Sequence, residues 1–385
     1  MQINQIPFTE TGYLNSLMVD YVSENKDLKS FYNRFPDVVS AGDQIKEKKE
    51  FSISRPVLVE SLKEQYKNLS HFSHQEVVEE NIDKLSTESA FTVTTGHQLC
   101  LFTGPLYFVY KIANAINMAK ELGEKYPHNQ FVPVFWMASE DHDFEEISEV
   151  NLHKNKINWK LDSKNSPVGE IKLNDFKQVK SAYKNSIIDF EYKDKLESII
   201  DDAYKDGETL STANIKFINS LFAGHGLVII DSNRRVFKKT FLDNFKNEIL
   251  DSRCYVDSNP QISKIKNDIK SFKPQVNPSD INFFKITKNG RKRIRKNGKK
   301  FIVDDEDEYT LDEIINQIES YPELFSPNVL MRALYQEKIL PNVCYVGGPN
   351  ELKYWMQLKL YFENSSVQFP ILKLRTSAFI LDKKT

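Results

Sequence analysis

Residues 91–146 read FTVTTGHQLC LFTGPLYFVY KIANAINMAK ELGEKYPHNQ FVPVFWMASE DHDFEE, and the fold turns on this stretch. Phe91-Thr92-Val93-Thr94 is β-branched and aromatic, which predicts a strand. Thr95-Gly96-His97-Gln98 and Phe102-Thr103-Gly104-Pro105 then allow sharp bends, and Pro105 suits a first helical position. From Leu106 on, Val109, Ile112, Ala113, Ile116 and Ala119 recur at helical spacing, predicting a helix with one apolar stripe that ends near Gly123. Phe131 to Met137 is nearly all apolar, as a strand covered on both faces of a parallel sheet should be. The unit is strand, helix, parallel strand, and the fold class is α/β. Its two loops, Gly96-His97-Gln98 and Ser139-Glu140-Asp141-His142-Asp143, leave the carboxyl ends of strands, where open α/β sheets bind ligands.

The acidic loop supports three readings. Its carboxylates suit a helix N-terminus, where they satisfy orphan N–H groups and the positive end of the macrodipole. A metal site of oxygen and imidazole ligands is a second reading, but no further His or Cys follows at a ligand spacing, so no metal is assigned. In the third, His142 flanked by Glu140, Asp141 and Asp143 is an acid/base or donor group of an active site. A second glycine turn, Gly347-Gly348-Pro349, joins the strand Val343-Cys344-Tyr345-Val346 to a helix through Tyr361 with Asn350 as its N-cap, and its backbone N–H groups would point at an anion. Leu227-Val228-Ile229-Ile230-Asp231 is another buried strand, and Asp231 at its end reads either as a site residue or as an Asx-turn or N-cap.

Thr95-Gly96-His97-Gln98, Leu101-Phe102-Thr103-Gly104-Pro105-Leu106-Tyr107, Pro133-Val134-Phe135-Trp136 and Glu140-Asp141-His142-Asp143-Phe144 resemble the signature of the bacillithiol biosynthesis cysteine-adding enzymes. A later block, Leu324 to Arg332, Tyr335-Gln336-Glu337, Leu340-Pro341 and Tyr345-Val346-Gly347-Gly348-Pro349 with Glu351, Tyr354 and Trp355, is similar in order and spacing to a second block of that family. The family usually has Gln where His97 stands and Gly where Thr103 stands. The resemblance implies a Rossmann-like core like that of class I aminoacyl-tRNA synthetases, with a connective-peptide-like insertion. It further implies addition of L-cysteine to glucosaminyl-malate, the last step to a low-molecular-weight thiol. The resemblance also implies a homodimer for the full-length family member, made through a carboxyl-terminal coiled coil that is expected to be absent from a chain that stops at Thr385.

Working outward, the 385 residues allow more than one domain, since single cores stop growing near ~250–300 residues. The expected parts are a mainly helical lead-in over 1–90, the first half of the core over 91–150, and an inserted α+β region over 151–222. The core then returns over 223–251, a second hairpin and helical insertion covers 252–320, and the second half of the core covers 321–385. Within the first insertion, 151–153, 157–161 and 168–171 alternate as half-exposed strands, and His71 and His74 read as exposed helix or turn residues.

A balance of 52 basic and 54 acidic residues argues against nucleic acid or an anionic membrane as the partner. No apolar run reaches the ~20 residues of a membrane span and no secretory signal opens the chain, so the cytoplasm is expected. Cys100, Cys254 and Cys344 are odd in number and widely spaced, which fits reduced thiols. Asn289-Gly290 predicts a hairpin turn between Phe283–Thr287 and Arg293–Arg295. The hairpin's basic run, Arg291 to Lys300, is followed by the acidic run Asp304 to Glu308, so it reads as solvated, with a phosphate-binding flap as the alternative.

Joining a cysteine carboxyl to an amine is uphill in water, so activation by ATP or another nucleotide is expected, with Mg as its possible companion. No Walker-type Gly-rich loop is present. Gly96, His97, Gln98 and Gly104 would face the nucleotide. Tyr107, Trp136, Ser139, Gly347, Gly348, Asn350, Glu351 and Tyr354 complete the expected binding set, and Glu140, Asp141, His142 and Asp143 the expected catalytic set. The competing functional class is a non-catalytic nucleotide- or RNA-binding protein on the same scaffold, which would need a continuous basic face reaching the hairpin.

Overall fold

The computed structural model describes residues 4–378 apart from 70, 153–154, 162–165, 189 and 305–306. His153, Asp305 and Glu306 of the expected strand and acidic run therefore lie outside the described residues. The strands in chain order are β1 (Ala90–His97), β2 (Gln130–Met137), β3 (Glu149–Leu152), β4 (Asn155–Asn158), β5 (Val228–Asp231), β6 (Phe283–Thr287), β7 (Gly290–Asn297), β8 (Lys300–Val303), β9 (Asp307–Tyr309), β10 (Phe325–Pro327), β11 (Asn342–Gly347) and β12 (Ile371–Leu374).

Five of them form a parallel sheet in the order β12-β11-β1-β2-β5. The fold is α/β with a Rossmann-like core. Strand β1 is longer than the β-branched run predicts, because Gly96 and His97 stay in the ladder opposite Trp136 and Met137. Pro133 is tolerated in β2 because β5 pairs only from Val134 onward, leaving Pro133 with a single neighbouring strand. The helix after β1 spans Tyr107–Lys125 and runs through Gly123.

The amino-terminal helices do more than pad the sheet. Gln65, in the helix Arg55–Lys67, donates from Nε2 to the Ile229 carbonyl (2.8 Å) and accepts the Asp231 N–H (2.9 Å), while Tyr66 accepts the Ile229 N–H (2.8 Å). Those side chains occupy the exposed edge of β5 as a further strand would. One face of the sheet packs Val132, Val134, Trp136, Val228 and Ile230 against these helices and the carboxyl-terminal half. The other packs Phe135, Met137, Leu227 and Ile229 against the insertion after β2, whose core holds Trp159, Phe176 and Tyr204.

Residues Val168–Glu170 form a 3-10 turn rather than the expected strand. The reason is local: Val168 donates its N–H to the Asp141 carbonyl (2.6 Å) and Gly169 to the Ser139 carbonyl (2.8 Å), so the segment props the acidic loop. A Cβ on Gly169 would meet Ser139 Cβ at 2.7 Å.

Strands β10-β6-β7-β8-β9 form a second, antiparallel sheet. Its ladder resumes already at Gly290, paired with Thr287, so the turn holds Lys288 and Asn289 and Arg291 belongs to β7.

Candidate active site

The strand order reverses at β1, with β2 on one side and β11 on the other. Such a switch point opens a crevice beyond the carboxyl ends of the strands. A cavity of about 480 Å³ lies there, walled by Gly96, His97 and Gln98 from the end of β1, Trp136 from β2, Gly348, Asn350, Glu351 and Tyr354 from the turn and helix after β11, and Tyr107 from the first crossover helix. Gly347 is closed in behind the wall, where a Cβ would meet Leu352 Cδ1 at 2.6 Å.

Lys111 ties the two sides together. Its Nζ donates to the Gly96 carbonyl and, at 2.8 Å each, to both carboxylate oxygens of Glu351. Glu351 also accepts from Tyr345 Oη (2.7 Å) and from the Gly348 N–H (2.6 Å), which satisfies the backbone donor just ahead of the helix Pro349–Met356. Burial alone would raise the Glu351 pKa, but the Lys111 charge and these bonds hold it below the ordinary value. His97 goes the other way: burial, then the nearby Lys111 charge, lowers its pKa to about 4, so its ring is neutral at pH 7.

The acidic loop is fixed beside the cavity. Glu140 is fully buried, paired with the buried Lys238 and 3.3 Å from Arg332 Nε. Asp141 accepts from Arg332 (3.0 Å), Arg291 (3.3 Å), Gln98 Nε2 (2.9 Å) and the His142 N–H (2.8 Å). Burial opposes its charge, yet the Arg332 charge and these hydrogen bonds hold its carboxyl well below the usual carboxylate range. His142 keeps a third of its side chain exposed and packs on Phe284, with Nδ1 3.0 Å from Arg291 Nη1. Asp143 is the N-cap of the short helix Phe144–Ile147 and accepts the Glu146 N–H at 3.1 Å.

Ser139 turns away from the main cavity. It donates to Asp231, which Ser211 also contacts, in a separate hollow of about 300 Å³. Gly104 lies behind the wall at φ +60°, where a Cβ would meet Cys100 Cβ at 2.6 Å. Burial pushes the Cys100 thiol up to about 12, which keeps it from acting as a nucleophile.

Several wall and clamp residues escaped the sequence reading, Lys111 among them. Glu146 and Arg332 line the cavity, Arg375 lines it from the end of β12, and Arg291 clamps Asp141 from the hairpin. Arg332 lies in the later block of resemblance and Glu146 in the acidic stretch, so both carried a signal. Arg291 was assigned to a turn, and Arg375 carried no signal. With Arg291 turned inward, Lys292 paired to Asp304 (2.7 Å) and Lys300 to Glu308 (2.5 Å), much of the hairpin's basic charge is committed within the protein. Among the described residues, no group of three or more His, Cys, Asp or Glu side chains could hold a metal ion. Nor is any helix among them long and apolar enough to cross a membrane.

The comparisons with known proteins agree with this architecture. The family model described as "Bacillithiol biosynthesis BshC, N-terminal Rossmann-like domain" matches residues 1–376. A protein of Christiangramia forsetii named "Putative cysteine ligase BshC" is 42% identical over 99% of this chain and 71% of its own length. Bearers of the same name in Flavobacterium johnsoniae and Bacillus mycoides are 39% and 28% identical, over 100% and 97% of this chain and 72% and 70% of their own lengths. The chain therefore belongs to the bacillithiol biosynthesis BshC family and carries its N-terminal Rossmann-like domain.

Proposed function

We propose that this chain is a ligase that joins the carboxyl group of L-cysteine to the amine of glucosaminyl-malate, using the cavity between the ends of β1 and β11. The observation that carries the reading is the charge of that site. Arg332 and Arg375 line the cavity beside Glu146 and Glu351, and of these two carboxylates Glu351 is already paired with Lys111. Two guanidinium groups facing a strand-end crevice suit an anionic substrate and an activating phosphate.

A nucleoside triphosphate, with a Mg ion as companion, would supply the group that turns the carboxyl oxygen into a leaving group. Arg332, with the wall left free of side chains at Gly96 and Gly348, would hold it. The chain's own groups do the rest. Lys111 fixes the separation of the two glycine turns, and Tyr107 and Trp136 offer flat walls that keep water from the reacting carbonyl. Glu146, whose pKa is raised first by burial and then by Asp143 and Asp141, accepts the proton released when the amine attacks. His142 and Asp143 orient the acceptor beside it.

The test is to incubate the folded chain with cysteine, glucosaminyl-malate and ATP and to follow the condensed thiol by mass spectrometry. Product with AMP supports adenylyl activation, and product with ADP phosphoryl activation. Silence from both this chain and a full-length relative would overturn the reading.

A further inference from the structure

We infer that Arg375 is the centre of a carboxylate-binding subsite at the β12 side of the cavity, which receives the acidic end of the acceptor. This rests on the ligase reading for the ligand's identity, and on the following geometry for its chemistry. Arg375 follows β12 directly, and its N–H donates to the Gly347 carbonyl at 2.9 Å, which fixes the side chain beside the second glycine turn. The residue is 6% exposed, yet among the described residues no carboxylate lies within ion-pair distance of its guanidinium. Its terminal nitrogens reach Tyr13 Oη (3.0 Å), the Thr376 carbonyl (3.2 Å) and Ser377 Oγ (3.3 Å), all formally neutral acceptors. Its Nε is buried without a partner.

A buried guanidinium without a counter-charge is costly, and an anionic ligand removes that cost. The surroundings are shaped for one. Gly348 presents no side chain, and a Cβ there would stand 3.6 Å from Arg375 Nε and 3.3 Å from Glu351 Oε2, a carboxylate that is itself neutralised by Lys111. Tyr107 lies under the guanidinium, 4.7 Å from ring centroid to Cζ, and holds its plane. A second orphan donor, the buried Trp136 Nε1, lies in the same wall. Two unpartnered donors call for an acceptor-rich ligand, and a dicarboxylate satisfies both better than a neutral sugar hydroxyl does.

Carboxylate and phosphate share this chemistry, so the probes are L-malate and ATP, titrated separately into the wild type, Arg375→Gln and Arg375→Lys, with tryptophan fluorescence as the readout, since two of the three tryptophans, Trp136 and Trp355, line the cavity. Thermal melting confirms that each variant is folded. The expected result is a tenfold or greater loss of L-malate affinity in Arg375→Gln, partial recovery in Arg375→Lys, and an ATP affinity changed less than threefold. Loss of ATP affinity with L-malate unchanged would overturn the assignment to the acceptor in favour of a phosphate subsite. Equal affinities for both probes in folded Arg375→Gln and wild type would overturn the subsite outright. Malate binding is read without turnover, so a subsite that fails while product still forms leaves the ligase reading standing. An intact subsite on a chain that makes no product counts against that reading alone.

Discussion

Arg291 of the antiparallel sheet places Nη1 3.3 Å from Asp141 Oδ1, 150 residues earlier in the chain, and so locks the acidic loop of the Rossmann-like core to the second insertion. The clamp is rigid because Arg291 Nε also donates to Ser326 Oγ (2.9 Å) and Nη2 to the Pro327 carbonyl (2.7 Å), while the Phe284 ring covers its face at 3.9 Å. Burial lowers the Arg291 pKa to about 9, against the pull of Asp141, so the group stays charged at pH 7. Arg291→Met should cost about 3 kcal/mol, the low end for breaking a buried pair, because Arg332 still neutralises Asp141. Urea denaturation measures it. Arg291→Lys should recover less than half, since an ammonium cannot reproduce the fork. A change below about 1 kcal/mol in either variant would show that the clamp is dispensable.

His97 makes stability depend on pH. Its folded pKa, about 4, lies below the ordinary histidine value of 6.5, so between those values the unfolded chain binds more protons. Stability from this group is therefore complete above pH 6.5 and is lost as pH falls toward 4, by about 2–3 kcal/mol. Buried Glu248 and Glu337, both pushed up to about 7, work in the opposite direction over part of that range. The readout is therefore the difference between wild type and His97→Gln in urea at pH 7 and pH 4.5. The wild type should lose more. Parallel losses would mean that His97 is already protonated in the folded state.

The turn before the crossover helix stores backbone strain. Phe102 at φ 51° and Thr103 at φ 74° are non-glycine residues in the left-handed region, and Gly104 follows at φ 60°. Phe102 is held there by stacking on Tyr183 at 3.9 Å and by donating its N–H to Tyr204 Oη at 3.0 Å. Among the described residues, no comparable hydrogen bond or ring contact holds Thr103, a β-branched residue. Thr103→Gly should stabilise the chain by about 0.5–1 kcal/mol, the strain relieved less the entropy of an added glycine. Gly104→Ala should cost more than about 2 kcal/mol, because its Cβ meets Cys100. Calorimetric melting of the two variants should move Tm in opposite directions.

Lys111 and Glu351 form a coupled pair across the cavity, 240 residues apart in sequence. Lys111→Met leaves Glu351 with two neutral donors and frees the Gly96 carbonyl, so about 3–5 kcal/mol should be lost. Glu351→Gln alone strands a buried ammonium and should cost a similar amount. The double variant should lose clearly less than the sum of the two, a coupling of at least about 1 kcal/mol in a double-mutant cycle. Strict additivity would mean that the pair contributes no mutual stabilisation.

The parallel core was legible because its strands are short apolar runs and its first crossover helix carries a single stripe, patterns that follow from burial alone. The main cavity was legible for the same reason: Gly96, Gly348 and Glu351 stand at strand ends, where a switch point collects them. Distant partners were not. Arg291 lies in a basic run that reads as solvated, and only the pairing of Thr287 with Gly290 turns it inward. Arg375 follows a four-residue strand with no motif around it. The 3-10 turn at Val168–Glu170 was hidden because its hydrogen bonds go to the acidic loop, a long-range contact that alternation cannot encode.

His142 has its chemistry narrowed by the same clamp. Arg291 Nη1 donates toward His142 Nδ1 at 3.0 Å, so Nδ1 serves as an acceptor and the ring proton is carried on Nε2. The alternative, an Nδ1–H donating to Asp141 Oδ1, is longer at 3.3 Å and competes with the His142 backbone N–H for the same oxygen at 2.8 Å. His142 is therefore poised to give a hydrogen bond from Nε2, and it orients an acceptor atom rather than removing a proton. Under the proposed ligase activity, His142→Ala should lower kcat by about 10²-fold, near the lower bound for a positioned donor, while KM for cysteine changes little. His142→Gln, which keeps a donor near the same place, should recover part of the rate. Arg291→Met should flatten that difference, because a ring freed from the clamp no longer holds one tautomer. Full turnover in a folded His142→Ala protein would remove the residue from the mechanism and leave Glu146 as the polar group acting on the amine.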